Sequence, residues 1–516
     1  MSGRPSPDLS LRLYNTMTGA KAPVRPRTPG HVGMYVCGVT VYDLCHIGHA
    51  RSAIVFDVLR RYLESRGLIV TYVRNFTDID DKIIARAARD GIGWREVAER
   101  FIAEYERDMD ALGVRRATVE PKATDHIPDM LALIAGLVDK GMAYAEGGDV
   151  YFHVAGFPAY GRLSRRRLDQ LQAGARVERE ATILRHARVD EKKRDPLDFA
   201  LWKASKPGEP TWESPWGPGR PGWHIECSAM AMAHLGRTID LHGGGQDLTF
   251  PHHENEIAQS EGYTGVEFAR CWVHNGFVTI NAEKMSKSLG NFFTIREILE
   301  KSPWDRAVTA EALRYLLLGT HYRSPIDFSD EALRGAKAAL DGFYDLLGRL
   351  REPEGKSERG EGNPIARAVL EGFDGQFAAA MDDDLNTAQA LGVFHHARAE
   401  FNRALGKGVS ADTAREAEAA LIHHGRILGL DFHAPRHVTV ALTGVEGTGV
   451  VGTITPRHTV EKGTTLSDAE VAGLVDARNA ARARKAWAEA DAIRQQLADA
   501  GVVIEDRPDG TTRVKR

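Results

Sequence analysis

The chain carries two short motifs whose residue types could bind a nucleoside triphosphate. The first is His46-Ile47-Gly48-His49, which follows a strand-like run from Val32 to Val36 and opens an amphipathic stretch. We expect both histidines to lie in the first turn of a helix, where the backbone amide hydrogens already favour phosphate. Helix capping and packing are the commoner roles of such histidines, and the motif alone leaves those roles open.

The second motif is Lys284-Met285-Ser286-Lys287-Ser288, which follows a strand-like run from Phe277 to Ile280. Its two ammonium groups are three residues apart, on a turn that Gly290 and Asn291 close. Donors aimed at leaving phosphates stabilise the negative charge that grows in a transition state. A solvated charged turn is the alternative for these lysines alone, whereas the two motifs together favour a nucleoside triphosphate site.

Four further motifs accompany these two along the chain. They are Tyr35-Val36-Cys37-Gly38, Arg74-Asn75-Phe76-Thr77-Asp78-Ile79-Asp80-Asp81-Lys82, Gly222-Trp223-His224-Ile225-Glu226-Cys227 and Phe250-Pro251-His252-His253-Glu254-Asn255-Glu256. Through all six motifs, taken in their order along the sequence, the chain resembles the cysteinyl-tRNA synthetase family of class I aminoacyl-tRNA synthetases over nearly its whole length. Several long matches in one order specify a family far better than a single four-residue motif does.

The resemblance implies a reaction and its substrates. The carboxylate of L-cysteine attacks the α-phosphate of ATP, and the cysteinyl group then passes to the terminal adenosine of tRNA(Cys). His46, His49, Lys284 and Lys287 are the implied catalytic residues, which also bind ATP, and Mg²⁺ is expected with the nucleotide. The other implied ATP-binding residues are Gly243, Gly244, Gly245 and Asp247, which we expect between a strand and a helix, close to the adenosine.

The resemblance also marks Cys37, Cys227, His252 and Glu256 as ligands of one Zn²⁺ ion. The spacing agrees in part, because His252 and Glu256 are four residues apart and therefore share one helix face. Cys37 is expected at the end of a strand, and Cys227 in an early turn. Taken singly, such cysteines are more often ordinary buried residues, and His252 a satisfied core residue, but the flanking motifs reverse that preference.

Zinc in this site is expected to select the amino acid. A soft thiolate binds zinc well and a hydroxyl poorly, so the metal would read the sulfur of free cysteine directly. Such a site can reject an analogue by about 10⁴-fold without an editing domain. Four protein ligands normally close a zinc site, so we expect Glu256 to be the weak ligand, or the coordination to expand, when the substrate thiolate arrives.

Two further sets of residues follow from the resemblance. The implied amino-acid pocket is formed by Cys37, Gly38, Thr40, Thr77, Trp223 and His224. His224 and His253 flank the implied metal ligands. They could either line the pocket or support the ligands, and the sequence favours neither role. The implied anticodon-reading residues are Arg482, Trp487, Asp491 and Asp506.

The anticodon assignment has support from composition. Cations are interleaved with an aromatic residue between positions 478 and 494, namely Arg478, Arg482, Arg484, Lys485 and Arg494 around Trp487. Guanidinium groups with a stacking ring suit an unpaired nucleic-acid loop. A solvated amphipathic helix has the same composition, and it is the alternative here.

Length and composition set the wider limits. The chain has 516 residues, of which 43% are hydrophobic and 27% charged, and this predicts two to four globular domains. Its net charge of -4 neither indicates nor excludes a nucleic-acid partner. Four cysteines form no disulfide framework. With no signal peptide or membrane span evident, we expect a cytoplasmic monomer.

The alternation of strand and helix predicts an α/β fold. We expect a Rossmann-type parallel-sheet catalytic domain with an insertion, an α-helical bundle that binds tRNA, and a small α+β C-terminal anticodon-binding domain. The expected boundaries are 1–118 and 222–280 for the catalytic halves, 119–221 for the insertion, 281–325 for the lysine-motif and stem-contact region, 326–432 for the bundle, 433–466 for a variable linker and 467–516 for the last domain.

Individual elements are predicted as well. They are helices over 48–66, 80–112, 312–318 and 332–350 and one starting near His252, strands over 69–74 and 239–242 and one ending at Ile280, and a tail of two helices followed by a strand over 502–505.

Two other functions share these features. A paralogous ligase would join cysteine to an amino sugar by the same adenylate chemistry, but such enzymes typically lack the anticodon-reading end. An inactive nucleotide or zinc sensor could keep the fold, although the intact histidine and lysine motifs argue against it.

Overall fold

The computed structural model describes residues 10–167, 192–280, 283–284, 293–351, 363–432, 468–484, 486–500, 502–506 and 512–515. The predictions for Lys287, Lys485 and residues 438–465 lie outside these ranges. The chain divides into two compact units, Met1–Leu340 with Pro353–Asp431 and Asp341–Glu352 with Phe432–Arg516. In the part of the chain that is described, no helix combines the length and apolarity needed to cross a bilayer.

The strands are numbered in chain order. They are β1 (Arg12–Asn15), β2 (Ala20–Pro23), β3 (His31–Thr40), β4 (Ile69–Thr77), β5 (Ala143–Glu146), β6 (Asp149–Phe152), β7 (Phe199–Ala204), β8 (Gly219–Pro221), β9 (Ile239–Gly245), β10 (Ala269–Asn275), β11 (Val278–Ile280), β12 (Glu283–Lys284), β13 (Ile326–Phe328), β14 (Val503–Asp506) and β15 (Thr512–Lys515).

The helices follow the same order. They are α1 (Ile47–Ser65), α2 (Asp81–Asp90), α3 (Trp94–Ala111), α4 (Ile127–Asp139), α5 (Trp223–Leu235), α6 (His252–Thr264), α7 (Ile295–Lys301), α8 (Arg306–Leu318), α9 (Asp330–Arg351), α10 (Pro364–Asp382), α11 (Thr387–Leu405), α12 (Ala411–Ile427), α13 (Asp468–Ala483) and α14 (Trp487–Asp499).

A four-stranded parallel sheet organises the first unit, in the order β10-β9-β3-β4. The run from Val32 to Val36 is apolar and buried, as expected for a parallel strand that is covered on both faces. The chain leaves β3 towards β4 and leaves β9 towards β10, so the strand order reverses between β3 and β9. The crevice at the carboxyl ends of these two strands is where such sheets bind ligands.

The inserted residues form an antiparallel sheet in the order β5-β6-β7-β8. Ile134, Phe152 and Trp202 from this region lie in one hydrophobic cluster with Tyr35 and Trp272 of the parallel sheet. Burial of each such side chain stabilises the fold by roughly 1.5–3 kcal/mol. The two sheets therefore share one core.

The second unit has its own small core. Helices α13 and α14 pack with the β14-β15 hairpin around Val471, Val475, Leu497, Ile504 and Val514. The sequence predicts both helices and the first strand of this hairpin, but not β15.

The α/β fold class is confirmed, and one helix prediction is wrong in detail. The helix expected from Asp80 to Leu112 is two helices, because Gly91 adopts a left-handed conformation with φ of 69° and ends α2. The strand expected to end at Ile280 is β11, and the preceding strand β10 was not predicted separately.

Candidate active site

Cys37 lies inside β3 and not at its end, next to an irregularity in the sheet. The pairing between β3 and β4 shifts register between Val36 and Val39. The Gly38 amide donates to Asn75 Oδ1 at 2.9 Å, and a Cβ atom at Gly38 would lie 1.6 Å from the Asn75 carbonyl oxygen. This close approach explains the glycine that follows Cys37.

Four possible metal ligands converge beside this irregularity. The donor atoms of Cys37, Cys227, His252 and Glu256 all lie within 4.8 Å of one another, and all four residues are buried. Cys37 Sγ is 3.5 Å from His252 Nε2, and His252 Nε2 is 3.0 Å from Glu256 Oε1. Donor atoms around a tetrahedral zinc ion are about 3.3–3.8 Å apart, so this set fits that ion with small adjustments.

Two helices supply three of these donors. His252 and Glu256 lie one turn apart at the start of α6, as their spacing predicts. Cys227 was expected in a turn and instead lies within α5. Every residue from Ile225 to Ala231 is buried, so this helix shows no polar face from which the sequence could have predicted it.

The charges of the cluster suit a cation. Burial raises the pKa of the Cys37 thiol well above its usual value, whereas a hydrogen bond from that thiol lowers the pKa of Cys227 to about 6. Burial opposes ionisation of Glu256, but His242 and His252 outweigh it and hold the pKa of this carboxyl well below its usual range. A thiolate and a carboxylate buried side by side attract a divalent ion.

Further imidazoles surround the ligands. His224 Nδ1 lies 2.9 Å from His252 Nδ1, and His242 Nε2 lies 2.8 Å from Glu256 Oε2. Since each contact engages the atom of a ligand that faces away from Cys37, these histidines orient the donor set. His242 was not among the predicted site residues. The only feature of the sequence that could have indicated it is its place at the end of a predicted strand.

His253 belongs to a second, overlapping donor set. Its side chain lies with those of Cys37, His242 and Glu256, and the donor atoms of all four are within 4.8 Å of one another. His253 Nδ1 is 2.7 Å from His274 Nε2. Burial lowers the pKa of His253 well below its usual value and that of His274 to about 3. Both rings are therefore neutral.

The predicted pocket residues border the cluster. The Trp223 ring stacks on His252 with centroids 4.5 Å apart, yet 39% of its surface is exposed. Thr40 and Thr77 are partners across β3 and β4. The Thr77 hydroxyl donates to the buried carboxyl of Glu226 at 2.9 Å, a contact that the sequence did not predict.

The histidine motif forms the amino terminus of α1. His46 is the N-cap, and its Nδ1 accepts from the Gly48 amide at 3.1 Å, while His49 Nδ1 accepts from the His46 amide at 3.2 Å. The side chains of His46 and His49 therefore do cap α1, a role that the sequence left open. Because both Nδ1 atoms accept hydrogen bonds, each neutral ring carries its proton on Nε2, which becomes a donor.

The glycine assignment needs a correction. Gly243, Gly244 and Gly245 were expected between a strand and a helix, but they form the last three residues of β9. A Cβ atom at Gly243 would lie 2.3 Å from Phe56, and one at Gly244 would lie 2.9 Å from Leu248. Asp247 follows in a short 3-10 turn, Gln246–Thr249. Close packing of the strand against α1 and against the following turn therefore accounts for the first two glycines.

The described part of the lysine motif is its first lysine. Lys284 lies in β12 and pairs with Thr279 of β11. The chain then returns to the histidine motif, since Thr294 forms a bridge with His46 and the Ile47 amide donates to the Phe293 carbonyl at 3.3 Å. Phe293 and Thr294 therefore adjoin the first turn of α1.

The predicted anticodon residues all lie in the second unit. Arg482 is in the last turn of α13, Asp506 ends β14, and Trp487 and Asp491 are one turn apart on α14. Trp487 is 57% exposed although it is the largest side-chain type. Arg478 is one of the cations that surround Trp487 in the sequence, but it is buried and is not part of an exposed basic surface.

Comparisons with known proteins agree with this architecture. Residues 23–338 match the family of tRNA synthetases class I (C) catalytic domain, residues 376–433 match the DALR domain, and residues 466–512 match the cysteinyl-tRNA ligase anticodon binding domain.

Relatives and solved structures point the same way. A cysteine–tRNA ligase of Geobacter metallireducens is 52% identical, over 98% of this chain and 99% of the relative. One of Nitratidesulfovibrio vulgaris is 51% identical, over 97% and 99%. The methionyl-tRNA synthetase of Mycobacterium tuberculosis in complex with methionyl-adenylate shares the fold, with a TM-score of 0.55 at 17% identity, over 77% of this chain and 89% of the other.

Proposed function

The chain belongs to the cysteine–tRNA ligase family of class I tRNA synthetases, and on that premise we propose how its residues activate L-cysteine and charge tRNA(Cys). In the first step a carboxylate oxygen of cysteine bonds to the α-phosphorus of ATP, and the bond to the bridging oxygen of pyrophosphate breaks. In the second, a ribose hydroxyl of the terminal adenosine bonds to the acyl carbon and AMP leaves. Positioning and charge stabilisation carry both steps.

His46 and His49 bind the triphosphate in this proposal. Their stacked rings, with centroids 3.7 Å apart, carry protons on Nε2 and sit where the helix dipole of α1 favours anions. Lys284 and Lys287 stabilise the charge of the departing pyrophosphate, and Mg²⁺ accompanies the nucleotide. Gly245 and Asp247, at the carboxyl end of β9, remain the proposed contacts to adenosine, whereas the packing of Gly243 and Gly244 gives them a supporting role.

Cys37, Cys227, His252 and Glu256 hold Zn²⁺ in this proposal, and the bound ion supplies a soft Lewis acid for the substrate sulfur. Trp223, Thr77 and Thr40 border the same place and shape the pocket around the amino acid, together with Gly38 and His224. The observation that carries the proposal is the convergence of two thiols, an imidazole and a carboxylate within 4.8 Å at the crevice of the parallel sheet.

Glu256 is the proposed weak ligand. Its Oε2 atom lies 2.8 Å from His242 Nε2, so the carboxylate keeps this contact when Oε1 leaves the metal. Zinc absorption-edge spectra should change on saturation with cysteine as a thiolate joins the ion. Spectra that stay the same would contradict this part of the proposal.

Cysteine-dependent ATP/pyrophosphate exchange on purified enzyme, followed by charging of tRNA with cysteine and with serine, tests the whole function. We expect exchange with cysteine, rejection of serine by about 10⁴-fold, and loss of both exchange and selectivity when a chelator removes the metal. Metal-free enzyme that still prefers cysteine would refute the role of zinc. Transfer to an amino sugar in place of tRNA would refute the tRNA(Cys) assignment.

A monomer in the cytoplasm, where tRNA, ATP and free cysteine are available, completes the proposal. Light scattering on the purified enzyme and fractionation of cells test these two points.

A further inference from the structure

Arg51 is a buried cation close to the histidine motif. It follows His49 by two residues in α1, and its side chain has no exposed surface. Among the described residues, its guanidinium nitrogens donate to backbone carbonyls and to no carboxylate, and Nε has no partner. Burial lowers its pKa to about 10, so the group is still charged at neutral pH. Burying a charge without an ionic partner destabilises the folded state, so a functional role would explain why this position is an arginine.

The carbonyls that accept from Arg51 lie in the segments that lead into two neighbouring strands. Nη1 donates to the Phe277 carbonyl at 2.6 Å, directly before β11. Nη2 donates to the Ser324 carbonyl and lies 3.3 Å from those of His321 and Tyr322, in the turn before β13. β11 and β13 are parallel neighbours in one sheet. The planar guanidinium group of Arg51 therefore fixes the amino-terminal ends of both strands against α1.

Other contacts make this junction tight. The Ile326 amide donates to the same Phe277 carbonyl at 3.0 Å. A Cβ atom at Gly276 would lie 2.6 Å from the Arg323 carbonyl and 2.7 Å from that of Ser324. The two turns can approach each other only because residue 276 lacks a side chain.

The sheet held by Arg51 also carries the lysine motif. β11 is the central strand of the order β12-β11-β13, and Lys284 belongs to β12. Thus α1 bears both His46 and His49 at its start, and Arg51 connects this helix to the sheet on which Lys284 begins its motif.

We propose that Arg51 is a positioning residue for adenylate formation, which sets the sheet of the lysine motif at the correct place relative to the histidine motif. This rests on the proposed function, because the two motifs need a fixed separation only if they bind one triphosphate. A misplacement of about 1 Å between such groups can cost about 100-fold in rate.

Steady-state ATP/pyrophosphate exchange by Arg51→Lys and Arg51→Met tests the proposal. We expect kcat to fall about 10-fold in Arg51→Lys, which keeps the charge but loses the fork, and about 100-fold in Arg51→Met. The KM for cysteine and the zinc content should stay unchanged, because neither depends on the position of the lysine motif.

Arg314→Lys is the matched control. Arg314 is also a buried arginine that donates to backbone carbonyls, those of Leu112 and Leu428, but none of its described hydrogen bonds or ion pairs involves the β12-β11-β13 sheet. We expect it to lose thermal stability while keeping the exchange rate per folded molecule. An equal loss of kcat in this control and in Arg51→Lys would mean a merely structural role, and would overturn the proposal.

A double-mutant cycle with Lys284→Ala supplies the second readout. If Arg51 acts through the lysine motif, the loss in Arg51→Lys/Lys284→Ala should be much smaller than the product of the two single losses. Additive losses would overturn the proposal. Absence of exchange in the unmodified enzyme would instead refute the proposed function, so the two failures are distinguishable.

Discussion

At the scale of single residues, the surroundings of the four metal donors matter as much as the donors themselves. His242 is buried, stacks on Trp272 with centroids 4.3 Å apart, and engages the Glu256 oxygen that faces away from Cys37. Its position is thus fixed on both sides. Glu256, which His242 holds in place, therefore loses little conformational entropy when it binds a metal ion.

Replacement of His242 by Ala should therefore weaken the metal site and not merely the catalytic rate. We expect the zinc dissociation constant, measured by competition with a chromogenic chelator, to rise about 10- to 100-fold. His395→Ala is the control, because His395 is hydrogen-bonded to Tyr315 at 2.6 Å and belongs to neither donor set. Equal zinc affinity in both variants would contradict an orienting role for His242.

At the scale of elements, the fold was predictable where a local pattern of apolar residues marks an element. The strand at Val32 and the helix after His46 were predictable because apolar runs and an apolar stripe mark them. The helix that holds Cys227 was missed because its first turns are buried all round. The split at Gly91 was missed because a helical period continues on both sides of a single left-handed residue.

The candidate site, too, could be predicted from the sequence only in part. The convergence of Cys37, Cys227, His252 and Glu256 was inferred from a resemblance, since their spacing relates only the last two. The packing of Gly243 against Phe56 depends on contacts 187 positions apart in the chain, which no local pattern records.

The helix α14 gives the clearest prediction at this scale. Trp487 and Asp491 lie one turn apart, Trp487 is 57% exposed, and Arg494 is exposed one turn further on. Stacking of a base on an aromatic ring is worth about 1–3 kcal/mol. We therefore expect Trp487→Ala to reduce kcat/KM for tRNA by about 5- to 150-fold and to leave cysteine-dependent exchange unchanged.

Ile493→Ala is the matched comparison for that helix, because Ile493 packs against the small core of the second unit. It should lower the stability of this unit. If Trp487→Ala were to reduce aminoacylation and exchange to the same extent, a role in tRNA recognition would be excluded.

At the scale of the whole first unit, one buried arginine connects the catalytic helix to the helical bundle. Arg314 of α8 pairs with Asp57 of α1, and both are about 1% exposed. Arg314 also donates to the carbonyl of Leu428, just after α12, at 2.8 Å. A Cβ atom at Gly429 would lie 2.1 Å from this guanidinium, so the glycine makes room for it.

Arg314→Met should for this reason destabilise the unit strongly. Removing one partner of a buried pair costs about 3–5 kcal/mol, and we expect the lower end because Arg61 still pairs with Asp57 at 2.9 Å. The measurement is the free energy of unfolding in urea. Arg403→Met removes an exposed partner of Glu400 and should cost at most about 1 kcal/mol. Equal losses in the two variants would show that Arg314 does not hold the bundle to α1. The hydrogen bonds of Arg61 and Tyr62 to the bundle, together with apolar packing, would then account for the continuity of this unit.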